Sequence, residues 1–188
     1  IAGRYVGAMA RPDRWVSWKY AAVRDGMRMI REFKPQAIWS TYPIATAHLI
    51  GAELQRKSGL PWIADFRDPM AQDGYPTDPL TWQRYKAIEA HTLHTASFST
   101  FTTPGAARTY LSRYPLDSDR VRVLENGYDE ETFAAAASSN VERKSLNPGA
   151  ITLLHSGIVY PAERDPTQLF EALGRLKAAG TIQAGALV

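Results

Sequence analysis

Along the chain the apolar positions change period repeatedly, and each change marks an element. From Trp15 to Phe33, apolar side chains at Val16, Tyr20, Val23, Met27, Ile30 and Phe33 recur at spacings of four and three, which predicts an amphipathic helix stopped by Pro35. Ala37-Ile38-Trp39-Ser40-Thr41 reads as a short strand, and Ala45 to Ser58 as a helix closed by Gly59. The apolar run from Leu60 to Phe66 is a second strand that ends in a burst of charge at Asp65, Arg67 and Asp68. A polar loop with Pro69, Gly74, Pro76 and Pro79 leads into a helix over residues 80–95. Phe98 to Thr103 is a third strand, Pro104 opens a helix reaching Arg113, and Val121 to Leu124 is a fourth strand. Strands alternating with helices at this spacing predict βαβ units, and hence an α/β fold with a parallel sheet flanked by helices.

The alternation then breaks. Residues 134–149, rich in Ala, Ser and Asn and closed by Asn147-Pro148-Gly149, read as a linker between a first domain over 1–133 and the start of a second over 150–188. Ile151 to His155 restarts the pattern as a strand. A helix over 166–179 follows, with Leu169, Leu173 and Leu176 on its apolar face. Residues 1–14 read as an irregular arm, and 184–188 as a strand just beginning. The expectation is therefore a piece of a longer protein, its first domain lacking its start and its second domain truncated.

Composition narrows the partners more than the fold. With 45% hydrophobic and 22% charged residues the chain is ordinary for a globular protein, and 188 residues suffice for one good core. A net charge of +3 and a pI of 9.2 favour anionic partners mildly and do not single out nucleic acid, so none is expected. The absence of cysteine excludes a disulfide, a thiolate nucleophile and a Cys-ligated zinc. No stretch approaches the ~20 apolar residues of a membrane span. The helix over residues 15–33 carries Arg24, Arg28 and Arg31 with Trp15 and Trp18 near its start. Such a helix suits either a solvated face or peripheral contact with an anionic membrane.

Among candidates for chemistry, several signatures are missing: no Gly-x-Gly-x-x-Gly follows a strand, and there is no Gly-x-x-x-x-Gly-Lys and no Gly-x-Ser-x-Gly. His91 and His94 lack a third metal ligand in view, so no metal site is expected, and nothing else supports a nucleophile at His155-Ser156. What remains is a set of polar residues at strand ends, which a parallel sheet gathers on one edge. These are Thr41 and Tyr42, then Asp65, Arg67 and Asp68, then Thr102 and Thr103, then Glu125, Asn126 and Gly127. Arg67 has a blander alternative, in which it pairs with Asp65 or Asp68 only to hold a loop. In the second domain Gly157 follows a strand and Arg164 lies seven residues on. A glycine there lets backbone N–H groups approach a phosphate, and an arginine can clamp the same anion.

Pro61-Trp62-Ile63-Ala64-Asp65-Phe66-Arg67-Asp68-Pro69, then Glu125-Asn126-Gly127-Tyr128-Asp129 with Phe133, then His155-Ser156-Gly157-Ile158-Val159-Tyr160 with Arg164-Asp165-Pro166, together resemble the GT-B glycosyltransferases of family 4, group 1 type. The resemblance implies two Rossmann-like domains, the first taking the acceptor and the second a nucleotide-activated sugar as co-substrate. It implies transfer with retention of configuration to a glycan or lipid-linked acceptor, with no further cofactor and no bound metal. It implies that Asp65, Arg67 and Asp68 face the reacting sugar or acceptor, that Asn126-Gly127 lie at the interdomain crossover, and that Gly157 and Arg164 match the residues at the donor phosphates. Taken with the strand-end placement, the candidate catalytic residues are Asp65, Arg67 and Asp68, and the candidate substrate-binding residues are Thr41, Tyr42, Thr103, Asn126 and Gly127. Where many relatives carry a histidine this chain has Asp65, and where many carry a second basic residue it has Ile158. The family's glycine-rich loop would precede residue 1 and its acidic donor motif would follow residue 188, so the chain as given is expected to be inactive alone. Cytoplasmic placement, with peripheral contact at the inner face of the membrane, is the matching expectation. An epimerase or hydrolase of nucleotide sugars, or a non-catalytic binding module, are the alternatives on the same scaffold.

Overall fold

The computed structural model describes residues 11–139, 144–159, 164–183 and 185–187, and divides the chain into two units, Ile1–Tyr128 and Asp129–Val188. The first ten residues of the expected arm, residues 140–143 of the expected linker, Tyr160 of the third motif, and Ala184 and Val188 of the expected final strand lie outside the described residues.

The first unit is built on four strands, β1 (Ile38–Thr41), β2 (Trp62–Phe66), β3 (Phe98–Phe101) and β4 (Val121–Val123), joined in that order into one parallel sheet. Helix α1 (Trp18–Phe33) precedes the sheet, and α2 (Ala45–Ser58), α3 (Pro79–Thr95) and α4 (Pro104–Arg113) connect successive strands. This is the α/β, Rossmann-like arrangement that the alternation of periods predicts. Local chemistry sets the boundaries. Gly59 takes a left-handed conformation (φ 71°) after α2 and returns its N–H to Gln55 O at 2.8 Å. Asp78 and Thr103 cap α3 and α4 by accepting from Thr81 N–H at 2.9 Å and Ala106 N–H at 3.1 Å, each followed by a proline in the first turn. Asp13, on the segment before α1, accepts from both the backbone N–H and the hydroxyl of Thr46 at 2.8 Å and so closes the start of α2 from a distance.

Stepping in the same direction at each right-handed crossover places α2, α3 and α4 on one face of the sheet. Burial follows this one-sided cover. Ile38, Ser40, Trp62, Ala64, Phe66, Ser99 and Phe101 are buried, whereas the alternate positions Trp39 and Phe98 on the opposite face are 50% and 40% exposed. The core centres on Trp62, Phe66, Phe101 and Tyr110, with the rings of Phe66 and Phe101 stacked at 5.4 Å and Tyr110 against both.

In the second unit the sequence pattern is realised less fully. Helix α5 (Glu130–Ser138), capped by Asp129, occupies the start of the segment read as a linker. Helix α6 (Thr167–Ala178) forms where the spacing of leucines predicts one. Among the described residues the strand expected over 151–155 is reduced to a single parallel bridge between Ile151 and Leu187. None of the described residues of this unit is buried, and Leu153, Leu154, Leu169 and Leu176 are all exposed. The physical reason is that a strand is stabilised by its neighbours, and one bridge with two short helices encloses no apolar interior.

Candidate functional site

Parallel pairing carries the first unit's polar strand ends to one edge of the sheet, and register decides which of them touch. Thr41, Asp65 and Thr100 stand opposite one another on β1, β2 and β3. Their side chains share the face of the sheet that no connecting helix covers. Thr41 Oγ1 donates to Asp65 Oδ2 and Thr100 Oγ1 donates to Asp65 Oδ1, each at 2.7 Å. The carboxylate is thus held between two hydroxyls, with acceptor capacity left on both oxygens for the hydroxyl groups of a ligand. Thr100 escaped the sequence reading, which stopped at Thr102 and Thr103. An alternating pattern tells which residues share a face but not which strand position lies opposite which.

Beyond β2 the chain turns through Arg67 and Asp68, whose side chains are exposed. Among the described residues no ion pair joins Arg67 to Asp65 or Asp68, so the loop is not held by the pairing that its charge pattern allowed. It is held through its backbone. Thr102 Oγ1 donates to Arg67 O at 3.0 Å, Met70 N–H donates to Tyr110 OH at 2.9 Å, and Ala71 N–H donates to Glu89 Oε1 at 2.8 Å. Glu89 is completely buried and was also missed, because a single acid on a mixed helix gives no local signal.

The remaining predicted residues of this unit play varied parts. Tyr42 is turned into the core with 2% exposure, edge-on to Tyr85, and burial followed by the proximity of Tyr85 raises its phenol pKa above the ordinary value. Thr103 spends its hydroxyl oxygen on the cap of α4. Asn126 and Gly127 are exposed past the end of β4, and open space surrounds Gly127 where a side chain would be.

In the second unit Gly157 has φ 151°, a conformation that disfavours any side chain. A Cβ there would lie 3.6 Å from His155 Nε2 and 3.9 Å from Arg164 Nη1, so the fold brings the predicted pair Gly157 and Arg164 together and adds His155. Asp165 is engaged at the start of α6, accepting from the N–H and hydroxyl of Thr167 at 3.0 and 2.6 Å. The hydroxyl bond, then the backbone one, lowers its pKa.

The family model for the glycosyl transferase 4-like domain matches residues 2–127, more than half of the chain. The chain belongs to this family. No curated protein matches it. The match covers the sheet, the Asp65 cluster and the Arg67–Asp68 loop, and its end at residue 127 falls beside the end of the first unit at Tyr128. The first unit is thus a glycosyltransferase-type domain, and the strand-end cluster is the natural place for a ligand in such a sheet, outside the carboxyl ends of its strands. Membership implies a sugar donor and an acceptor in general terms. Among the described residues no helix is long and apolar enough to cross a membrane.

Proposed function

We propose that this glycosyltransferase domain works on a nucleotide-sugar donor and a glycan or lipid-linked acceptor, with retention of configuration. The observation that carries the reading is the Asp65 carboxylate, anchored by Thr41 and Thr100 next to the exposed Arg67 and Asp68 at the strand ends. A carboxylate held by two hydroxyls is a fixed acceptor for sugar hydroxyls, and an exposed guanidinium supplies a planar fork for an oxyanion. In the transfer the bond from the anomeric carbon to the donor phosphate oxygen breaks with its electron pair going to that oxygen, an acceptor oxygen bonds to the anomeric carbon in its place, and the acceptor's proton is released to water. Negative charge grows on the departing diphosphate. Arg164 and the backbone N–H groups around Gly157 supply the positive charge that stabilises it.

Calorimetric titration of the full-length protein with UDP-, GDP- and dTDP-sugars tests the donor half of this reading. One nucleotide class is expected to bind, and Arg164→Ala to weaken it roughly 10- to 100-fold, the worth of a hydrogen bond to a charged group. Binding by no member of the panel, or affinity untouched by the substitution, overturns it. Release of free sugar at the same rate with and without glycan or lipid acceptors would favour a hydrolase instead.

A further inference from the structure

The loop that carries Arg67 and Asp68 is tied to one buried carboxylate far from it in sequence. Glu89, on α3, has no exposed surface, and four groups point donors at it. Ala71 N–H and Tyr110 OH reach Oε1 at 2.8 and 2.6 Å, while Tyr114 OH and Arg113 Nη1 reach Oε2 at 2.6 and 3.5 Å. Tyr110 OH, having spent its hydrogen on Glu89, accepts from Met70 N–H at 2.9 Å, and Arg113 Nη1 also donates to Ala71 O. Burial, reinforced by the adjacent carboxylate of Glu89, raises the pKa of both phenols, so each stays a donor. Two consecutive backbone amides, Met70 and Ala71, therefore depend on Glu89, one directly and one through Tyr110.

Burying a carboxylate is expensive, and apolar side chains of the same volume often stabilise a buried contact as well or better. What a carboxylate with a full set of donors supplies is geometry, since any displacement of the loop breaks several bonds at once. Only Pro69 separates the clamped amides from the exposed pair Arg67 and Asp68, and the carbonyl of Arg67 accepts from Thr102 Oγ1. We propose that Glu89 is a positioning residue for this loop: through Tyr110, Tyr114, Arg113 and the amides of Met70 and Ala71 it sets the direction in which Arg67 and Asp68 leave the backbone. The proposal rests on the reading of that loop as part of the transferase site.

The test uses the full-length protein and the UDP-, GDP- or dTDP-sugar that it turns over, by transfer or, with water as acceptor, by hydrolysis. Glu89→Gln keeps shape and replaces one acceptor oxygen by a donor. In this variant amide exchange at Met70 and Ala71 is expected to speed up at least tenfold while the amides of β2 stay protected. Its kcat is expected to fall about tenfold with the donor KM unchanged. Combined with Arg67→Ala and Asp68→Ala, it is expected to lower kcat no further than those two substitutions alone, because Glu89 acts through those two side chains. Unchanged exchange overturns the proposal, as does faster exchange with unchanged kcat, or a further loss of kcat when Glu89→Gln is added to Arg67→Ala and Asp68→Ala. Should Glu89→Gln fail to fold, Tyr114→Phe removes one donor only, and the same pattern at smaller amplitude is required of it. A wild-type protein inert toward every nucleotide sugar overturns the transferase reading itself, an outcome separate from an active wild type whose kcat ignores Glu89.

Discussion

His48 shows how far one side chain can be pushed by its surroundings. It has no exposed surface, its Nδ1 lies 2.8 Å from Ser40 Oγ, and its Nε2 finds no partner among the described residues. Burial pushes its pKa down to about 4, outweighing the opposing pull of Asp65. The unfolded imidazole titrates near 6.5, so between these values the unfolded chain holds a proton that the folded chain refuses. Stability contributed by neutral His48 is complete above the unfolded value and is lost as pH falls from about 6.5 to about 4, up to roughly 3 kcal/mol in all. Urea unfolding between pH 7 and pH 4 is expected to show that slope in the wild type. His48→Phe, which cannot titrate, is expected to remove most of it. A flat wild-type profile across this window would contradict the buried neutral state. The same residue scale explains Thr41 and Thr100, each supplying one hydroxyl to orient Asp65. Thr41 stood out in the sequence by ending a strand, whereas Thr100, inside one, did not.

At the scale of elements, the packing of α2 on β1 and β2 hinges on a missing side chain. A Cβ on Gly51 would lie 2.5 Å from Trp62 Nε1 and 2.9 Å from Ser40 Oγ, the two atoms joined by a 2.8 Å hydrogen bond. Trp62 is wholly buried and cannot retreat. Gly51→Ala is therefore expected to destabilise by about 1–3 kcal/mol although alanine is the better helix former, since overpacking outweighs propensity here. Thermal or urea unfolding reads this directly, and a stabilised variant would refute it. Boundaries of this unit were legible in the sequence because they are local. Proline at the first turn of α3 and α4, glycine after α2, and apolar period in β1 and β2 act over a few residues. Helix α5 was not legible, since its alanine-rich stretch carries no apolar period, and only the cap at Asp129 announces it.

On the scale of the whole molecule, the first unit leaves large apolar side chains of α1 exposed. Trp18, Tyr20, Met29 and Phe33 are 51%, 81%, 54% and 67% exposed, and Arg24, Arg28 and Arg31 are exposed on the same helix. Asp25 partly offsets the charge by pairing with Arg24 and Arg28. Should this surface meet an anionic bilayer, its aromatic side chains would enter the interface while its arginines met the headgroups. Co-sedimentation of the full-length protein with vesicles is expected to require anionic lipid, to weaken in high salt, and to drop with Trp18→Ser combined with Phe33→Ser. Binding indifferent to lipid charge and salt would exclude this surface.

Determined by the sequence alone were the strands and connecting helices of the first unit, their parallel pairing, and the placing of Asp65, Arg67 and Asp68 at a strand end, because periodicity, caps and prolines are short-range and the handedness of βαβ units is general. Tertiary structure alone decided which of the polar strand ends meet. Register put Thr100 rather than Thr102 beside Asp65, packing turned Tyr42 inward, and the approach of α3 and α4 delivered Glu89, Tyr110 and Tyr114 to a loop about twenty to forty residues away. It also decided that the apolar face of α6 and the run 151–155 remain unburied, since burial depends on neighbours that no local pattern can count.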